Sequence, residues 1–141
     1  MLCEDIMKRD IECVSPADSV EDAARVMRDE NLGFLPVCDQ SNQVLGTITD
    51  RDVAVRAVAE GLPGATPVED VMTGEVVACS PKDGIEIALQ LMAENHKSRI
   101  MCLDEEGRLV GVISLSDIAQ LAQIGEASET LRQVSDRESS N

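Results

Sequence analysis

Two heptapeptides carry residues whose types and spacing suit a small polar ligand: Gly46-Thr47-Ile48-Thr49-Asp50-Arg51-Asp52 and Gly111-Val112-Ile113-Ser114-Leu115-Ser116-Asp117. Both read G-h-h-[ST]-x-x-D. A hydroxyl at the end of a strand and a carboxylate three residues on, in the first turn of a helix, project in the same direction. The hydroxyl and the free N–H groups of such a turn suit a phosphate, aided by the positive end of a helix, while the carboxylate suits two hydrogen bonds from a ribose diol. The same tetrapeptide is also a capping box, in which the hydroxyl residue and the aspartate close the helix start on each other. Either reading serves one copy. Recurrence in two copies, each after a strand and a glycine, weighs towards binding.

The recurrence belongs to a longer one. Displaced by 65 residues, positions 4–61 fall on 69–126 without a gap, with 15 identities among 58 pairs. Met7 meets Met72, Ser15-Pro16 meets Ser80-Pro81, Asp18 meets Asp83, Gly46 meets Gly111 and Asp52 meets Asp117. A repeat of about 60 residues buries too little surface to be stable alone, so the two copies are expected to pack as one unit around a pseudo-twofold axis. The cleft between them is the expected site.

Each copy reads as strand, helix, strand, strand, helix. In the first, a short strand over 11–14 stops at Ser15-Pro16, and Ser19 opens a helix whose apolar face is Val20, Ala23, Ala24 and Met27, ended by Gly33. Runs at 34–38 and 44–49, separated by a polar turn, predict a hairpin, and a second helix is expected from Asp50 to about Glu60. The second copy predicts a strand over 76–79, a helix over 85–93, a hairpin at 99–103 and 109–114, and a final helix from Leu115. The divisions are thus repeat one over 1–61, a breaker-rich linker over 62–68, repeat two over 69–126, and a helix extension with a frayed tail over 127–141. Leu131 and Val134 would continue the last helix's apolar stripe.

Composition narrows the function. Twelve basic against 27 acidic residues leave a net charge of −15, which repels a polyphosphate backbone, and with Phe34 as the sole aromatic residue base-stacking platforms are missing. Nucleic acid is therefore disfavoured. No apolar run reaches membrane-spanning length and the N-terminus carries no secretory pattern, so a cytoplasmic location is expected. Five cysteines, Cys3, Cys13, Cys38, Cys79 and Cys102, form no C-x-x-C pair and lie mostly in apolar runs, as reduced packing residues do. His96, the single histidine, falls at a helix end, and no metal site or catalytic motif emerges.

Taken together these motifs resemble a tandem pair of CBS (cystathionine-β-synthase-type) domains of the stand-alone bacterial kind, over about residues 2–126. Glu4-Asp5-Ile6-Met7 and Glu69-Asp70-Val71-Met72 are similar to the family's opening segment, Gly33-Phe34-Leu35-Pro36-Val37 to its middle strand, and the two heptapeptides to its ligand loop. The resemblance implies an α+β fold of two β-α-β-β-α repeats in pseudo-twofold packing, a Bateman-type module. It also implies an adenosine-type ligand (AMP, ADP, ATP or S-adenosylmethionine) between the copies, with no cofactor required. Asp52 and Asp117 would then hold ribose hydroxyls, with Thr49 and Ser114 by the ribose or phosphate. Ser15, Ser80, Leu35 and Ile100 would line the base pockets. Arg51 and Arg99 stand near phosphate positions, or are simply solvated. The second copy has Ser98-Arg99-Ile100-Met101 where the first has Gly33-Phe34-Leu35-Pro36, so the two sites are expected to differ.

The expected function is a non-enzymatic sensor that changes the geometry of a dimer or of an effector protein. The alternative is a ligand-free interaction scaffold. A homodimer is expected through the helices near Asp50 and Leu115, with Val53, Val58, Ile118, Leu121 and Ala122 as candidate surface, or else as filler between the copies.

Overall fold

The computed structural model describes residues 1–125. Leu131, Val134 and the tail lie outside the described residues, as does the side chain of Ala122. In chain order the elements are α1 (Cys3–Ile6), α2 (Val20–Glu30), β1 (Phe34–Cys38), β2 (Val44–Thr49), α3 (Asp50–Asp52) continued by a π-helix (Val53–Val58), a 3-10 turn (Val68–Asp70), β3 (Ala78–Cys79), α4 (Ile85–Asn95), β4 (Arg99–Leu103), β5 (Leu109–Ser114) and α5 (Leu115–Gly125). The α+β class and the duplication both hold.

The helix starts follow their side chains. Ser19 Oγ accepts the N–H of Asp22 at 3.0 Å and opens α2. Upstream of α2 and α4 the Ser-Pro-x-Asp turns repeat, Asp18 accepting from Ser15 N–H and Asp83 from Ser80 N–H, each at 2.9 Å. The expected stop at Gly33 is replaced by a left-handed turn at Asn31 (φ 56°), matched by His96 (φ 54°) after α4. Asparagine tolerates that conformation with little strain, so the helix ends two residues early.

Both expected first strands are shorter than the apolar pattern suggests. Of residues 11–14 only Val14 pairs, parallel to Val37, and of 76–79 only Ala78 and Cys79 join β4. Glu12, Cys13 and Val76 are exposed, and the following prolines lack an N–H to extend the ladder. The helix after Asp50 also departs from expectation: beyond one α-helical turn it widens, Ala59 N–H reaching Ala54 O at 2.9 Å, and ends at Gly61 (φ 71°). Three valines in six residues make this stretch a poor α-helix former. Its counterpart α5 is regular.

Hairpins β1–β2 and β4–β5 are antiparallel and carry a register shift at equivalent places, Val37/Cys38 and Cys102/Leu103. Strand alternation gives each hairpin two faces. Leu35, Val37 and Ile48 pack under α2, and Ile100, Cys102 and Ile113 under α4. The opposite faces meet each other through Cys38, Met101 and Leu109, flanked by Phe34, Val44, Leu103 and Val112. The hairpin turns cross-link there: Asn42 Nδ2 donates to Leu109 O at 2.8 Å, and Leu109 N–H to Asn42 O at 3.0 Å.

The lead-in segments are exchanged between copies. Cys3, Ile6 and Met7 sit in the core of the second copy, and Val68 and Val71 in the core of the first. Val68, the last residue of the expected linker, is fully buried. Each lead-in then pairs with the far hairpin, Thr73 with Thr47 and Lys8 with Val112. Gly46 and Gly111 permit this approach, since a Cβ on either would overlap the Thr73 carbonyl or the Met7 side chain.

Candidate functional site

The exchange leaves two clefts related by the pseudo-twofold. The first, of about 260 Å³, lies between β5 and β1 and includes Lys8, Glu12, Phe34, Pro36, Ser114 and Asp117 in its wall. The second, of about 430 Å³, lies between β2 and β4 and includes Phe34, Thr49, Arg51, Thr73, Arg99 and Met101. Each therefore takes its hydroxyl-bearing loop from one copy and its facing strand from the other. Neither is complete within a single repeat.

Thr49 and Ser114 stand where expected, at strand ends facing a cleft. The two aspartates diverge. Asp52 closes a full capping box: its N–H donates to Thr49 Oγ1 at 3.0 Å, and its Oδ2 accepts Thr49 N–H at 3.1 Å. Thr73 Oγ1 adds bonds of 3.3 Å to both carboxylate oxygens, and Arg56 Nε lies 3.8 Å away. The cleft wall there is Thr49 and Thr73, with Asp52 only 9% exposed. Asp117 makes half of that box, its N–H donating to Ser114 Oγ at 3.1 Å. Its carboxylate faces the cleft, with Lys8 Nζ 3.7 Å away.

Arg51 lines the larger cleft, and Arg99 lines both. Leu35 and Ile100 line neither: they are the core-facing members of their strands, 0% and 1% exposed. Their neighbours Phe34 and Pro36, and Arg99 and Met101, border the clefts instead, with Pro36 and Met101 themselves buried at the cleft floor. Ser15 lies outside both clefts. Ser80 borders a separate depression with Glu4, Arg9, Lys82 and Arg108. Both serines support turns, Ser15 Oγ receiving Ala17 N–H and Ser80 Oγ receiving Lys82 N–H.

Phe34 is one of several wall residues, with Lys8, Pro36, Thr73 and Met101, that motif reading passed over. It lines both clefts and is the chain's only aromatic side chain. Its isolation in an aliphatic sequence was the available signal.

The cysteines lie apart from the clefts. Cys79 Sγ is 3.7 Å from Cys3 Sγ and 3.6 Å from Cys102 Sγ, contacts between free thiols in the second core. Burial, and then the neighbouring Cys79, push the Cys3 thiol up to about 12. Burial, and then Cys13, do the same to Cys38. Among the described residues no group of three His, Cys, Asp or Glu is placed to hold a metal ion. None of their helices is long and apolar enough to cross a membrane.

An exchanged pair of duplicated half-domains with a cleft on either side of the dyad defines a class of paired-repeat α+β modules. The chain belongs to the CBS domain family, whose pattern it matches over residues 3–58 and 68–123. It is 39% identical over 116 residues to the CBS domain-containing protein YhcV of Bacillus subtilis, covering 82% of this chain and 81% of that protein. The crystal structure of Hypoxic Response Protein I with two coordinated zinc ions superposes with a TM-score of 0.78 at 29% identity, over 85% of this chain and 98% of that one. CBSX2 in complex with AMP shares the fold with a TM-score of 0.77 at 23% identity, over 88% and 98%.

Proposed function

We propose that this protein is a non-enzymatic regulatory sensor that binds an adenosine-type ligand in the clefts between its CBS repeats. AMP, ADP, ATP and S-adenosylmethionine are the candidates. The observation that carries the reading is the placement of each hydroxyl loop, Thr49 and Ser114, opposite an apolar strand residue of the other copy, Met101 and Pro36. Such a cleft offers apolar surface to a base, chiefly from the half-buried Phe34, and polar groups to a sugar phosphate. Asp117 would take the ribose diol directly. Asp52 would do so on exchanging the Thr73 hydroxyl for the sugar. The AMP complex of CBSX2 supports this reading as a fold-level parallel.

Ligand contacts made to both copies at once bias the angle between them, and that bias is the signal. A homodimer, or an effector protein docked beside the clefts, would receive it. Val58 (71% exposed), Leu121 and the neighbouring Val55 and Leu115 give the dimer an apolar surface, whereas Ile118 is buried and Val53 packs on the first core. Free thiols fit a reducing, cytoplasmic setting.

The closed capping box at Asp52 favours a second reading, a ligand-free scaffold, for the larger cleft. Thermal melts against a panel of adenosine compounds separate the two. A ligand present at 100 times its Kd raises stability by about 2.7 kcal/mol, and a flat response to every compound leaves the scaffold.

A further inference from the structure

We propose that the two clefts have diverged in charge, so that the larger accepts the phosphate chain of an anionic ligand while the smaller refuses it. The inference rests on the adenosine reading only for the identity of the group attached to the phosphates. Arg51, Lys97 and Arg99, with His96, ring the larger cleft against the carboxylates of Asp50 and Glu75. The smaller has Lys8 and Arg99 against Asp10, Glu12, Glu30 and Asp117, and its Lys8 ammonium lies 3.7 Å from Asp117. In a chain of net charge −15, this local excess of cations runs against the average.

The duplication shows where the difference arises. Along the turn that follows α2, the smaller cleft is bordered by Leu32 and Phe34. Along the equivalent turn after α4, the larger is bordered by Lys97, Ser98 and Arg99. At the start of the loop helix, Arg51 occupies the position held by Ser116 in the other copy. Arg99 borders both clefts and does not discriminate. Arg51 and Lys97 do, because their counterparts Ser116 and Leu32 line the smaller cleft without charge. Both are exposed, so their substitution leaves the cores intact.

The test compares adenosine, ATP and inorganic pyrophosphate by calorimetric titration of the full chain. The variants are Arg51→Gln/Lys97→Gln and, as a control of equal chemistry elsewhere, Lys82→Gln. The proposal expects one ATP per chain, at least tenfold tighter than adenosine in that cleft. Pyrophosphate should compete, and the double variant should lose at least tenfold in ATP affinity while keeping adenosine affinity within about twofold. Lys82→Gln should match the wild type. Adenosine and ATP binding equally well, or ATP affinity surviving in the double variant, overturns the charge assignment and leaves the adenosine reading intact. Pyrophosphate binding that the double variant abolishes, with no response to any nucleoside, supports the anion site and overturns the adenosine reading. Two ATP per chain, or no binding of ATP and pyrophosphate, overturns the proposal.

Discussion

Thr73 Oγ1 lies 3.3 Å from each carboxylate oxygen of Asp52, and this bond joins the lead-in segment of the second copy to the hydroxyl loop of the first. At the duplicated positions the hydroxyl is replaced by an ammonium, Lys8 Nζ standing 3.7 Å from Asp117 Oδ2. One aspartate is thus engaged in structure and the other faces an open cleft.

Substitution should separate those roles. Asp52→Asn weakens the cap and the Thr73 contact and is expected to cost about 1 kcal/mol of stability. Asp117→Asn is expected to leave the melting temperature within a degree or two and to reduce adenosine affinity about tenfold, through loss of charge-assisted bonds of roughly 1.5–3 kcal/mol each. Melting curves and titrations of the two variants side by side check this. Equal effects on stability would show that both aspartates are caps.

Phe34→Ala should weaken binding in both clefts, because one ring borders each of them. Contact between an aromatic ring and a base is worth roughly 1–3 kcal/mol. Stability should fall too, since Phe34 flanks the contact between the hairpins. The discriminating readout is therefore the amount of ligand bound at one fixed, sub-saturating concentration by the folded protein, which drops for the Phe34 variant and stays unchanged for Val58→Ala.

The two paired glycines should not be equivalent under mutation. A Cβ at Gly46 meets the Thr73 backbone carbonyl, which is held in a two-way bridge to Thr47 and cannot move aside. At Gly111 it meets the Met7 side chain, which can adopt another rotamer. Overpacking of this kind costs about 1–3 kcal/mol. Gly46→Ala should lie at the upper end or beyond and Gly111→Ala at the lower end, as measured by urea denaturation.

The thiols set an alkaline limit. Cys3 and Cys38 hold their protons up to about 12 in the folded chain, mainly through burial, against an ordinary value of 9.0. A raised folded value means that the native state binds protons more tightly. The stability this contributes is complete below pH 9 and is lost as pH rises towards 12. The slope is about 1.4 kcal/mol per pH unit for each such thiol. Denaturation midpoints measured from pH 8 to 11 should fall steadily, and Cys3→Ala should flatten the fall while lowering the starting stability.

The sequence by itself determined the period, the helix–hairpin–helix order within each copy, the family and the two hydroxyl loops. These depend on local pattern: a 65-residue register, Ser-Pro turns, and a glycine at a fixed distance before each loop aspartate. It did not determine which face of the middle strand borders the clefts. Leu35 and Phe34, or Ile100 and Met101, are all apolar or buried on one side or the other, because one face packs under a helix and the opposite face packs on the second copy. With apolar surroundings on both sides, alternation no longer marks the inside. Nor did it show that residues 3–7 complete the second core, or that Thr73 and Lys8 reach the far aspartates, since such contacts join residues 21 to 109 positions apart. Tertiary structure decided these points, because only folding brings the two copies' hydrogen-bonding edges and charges to one place.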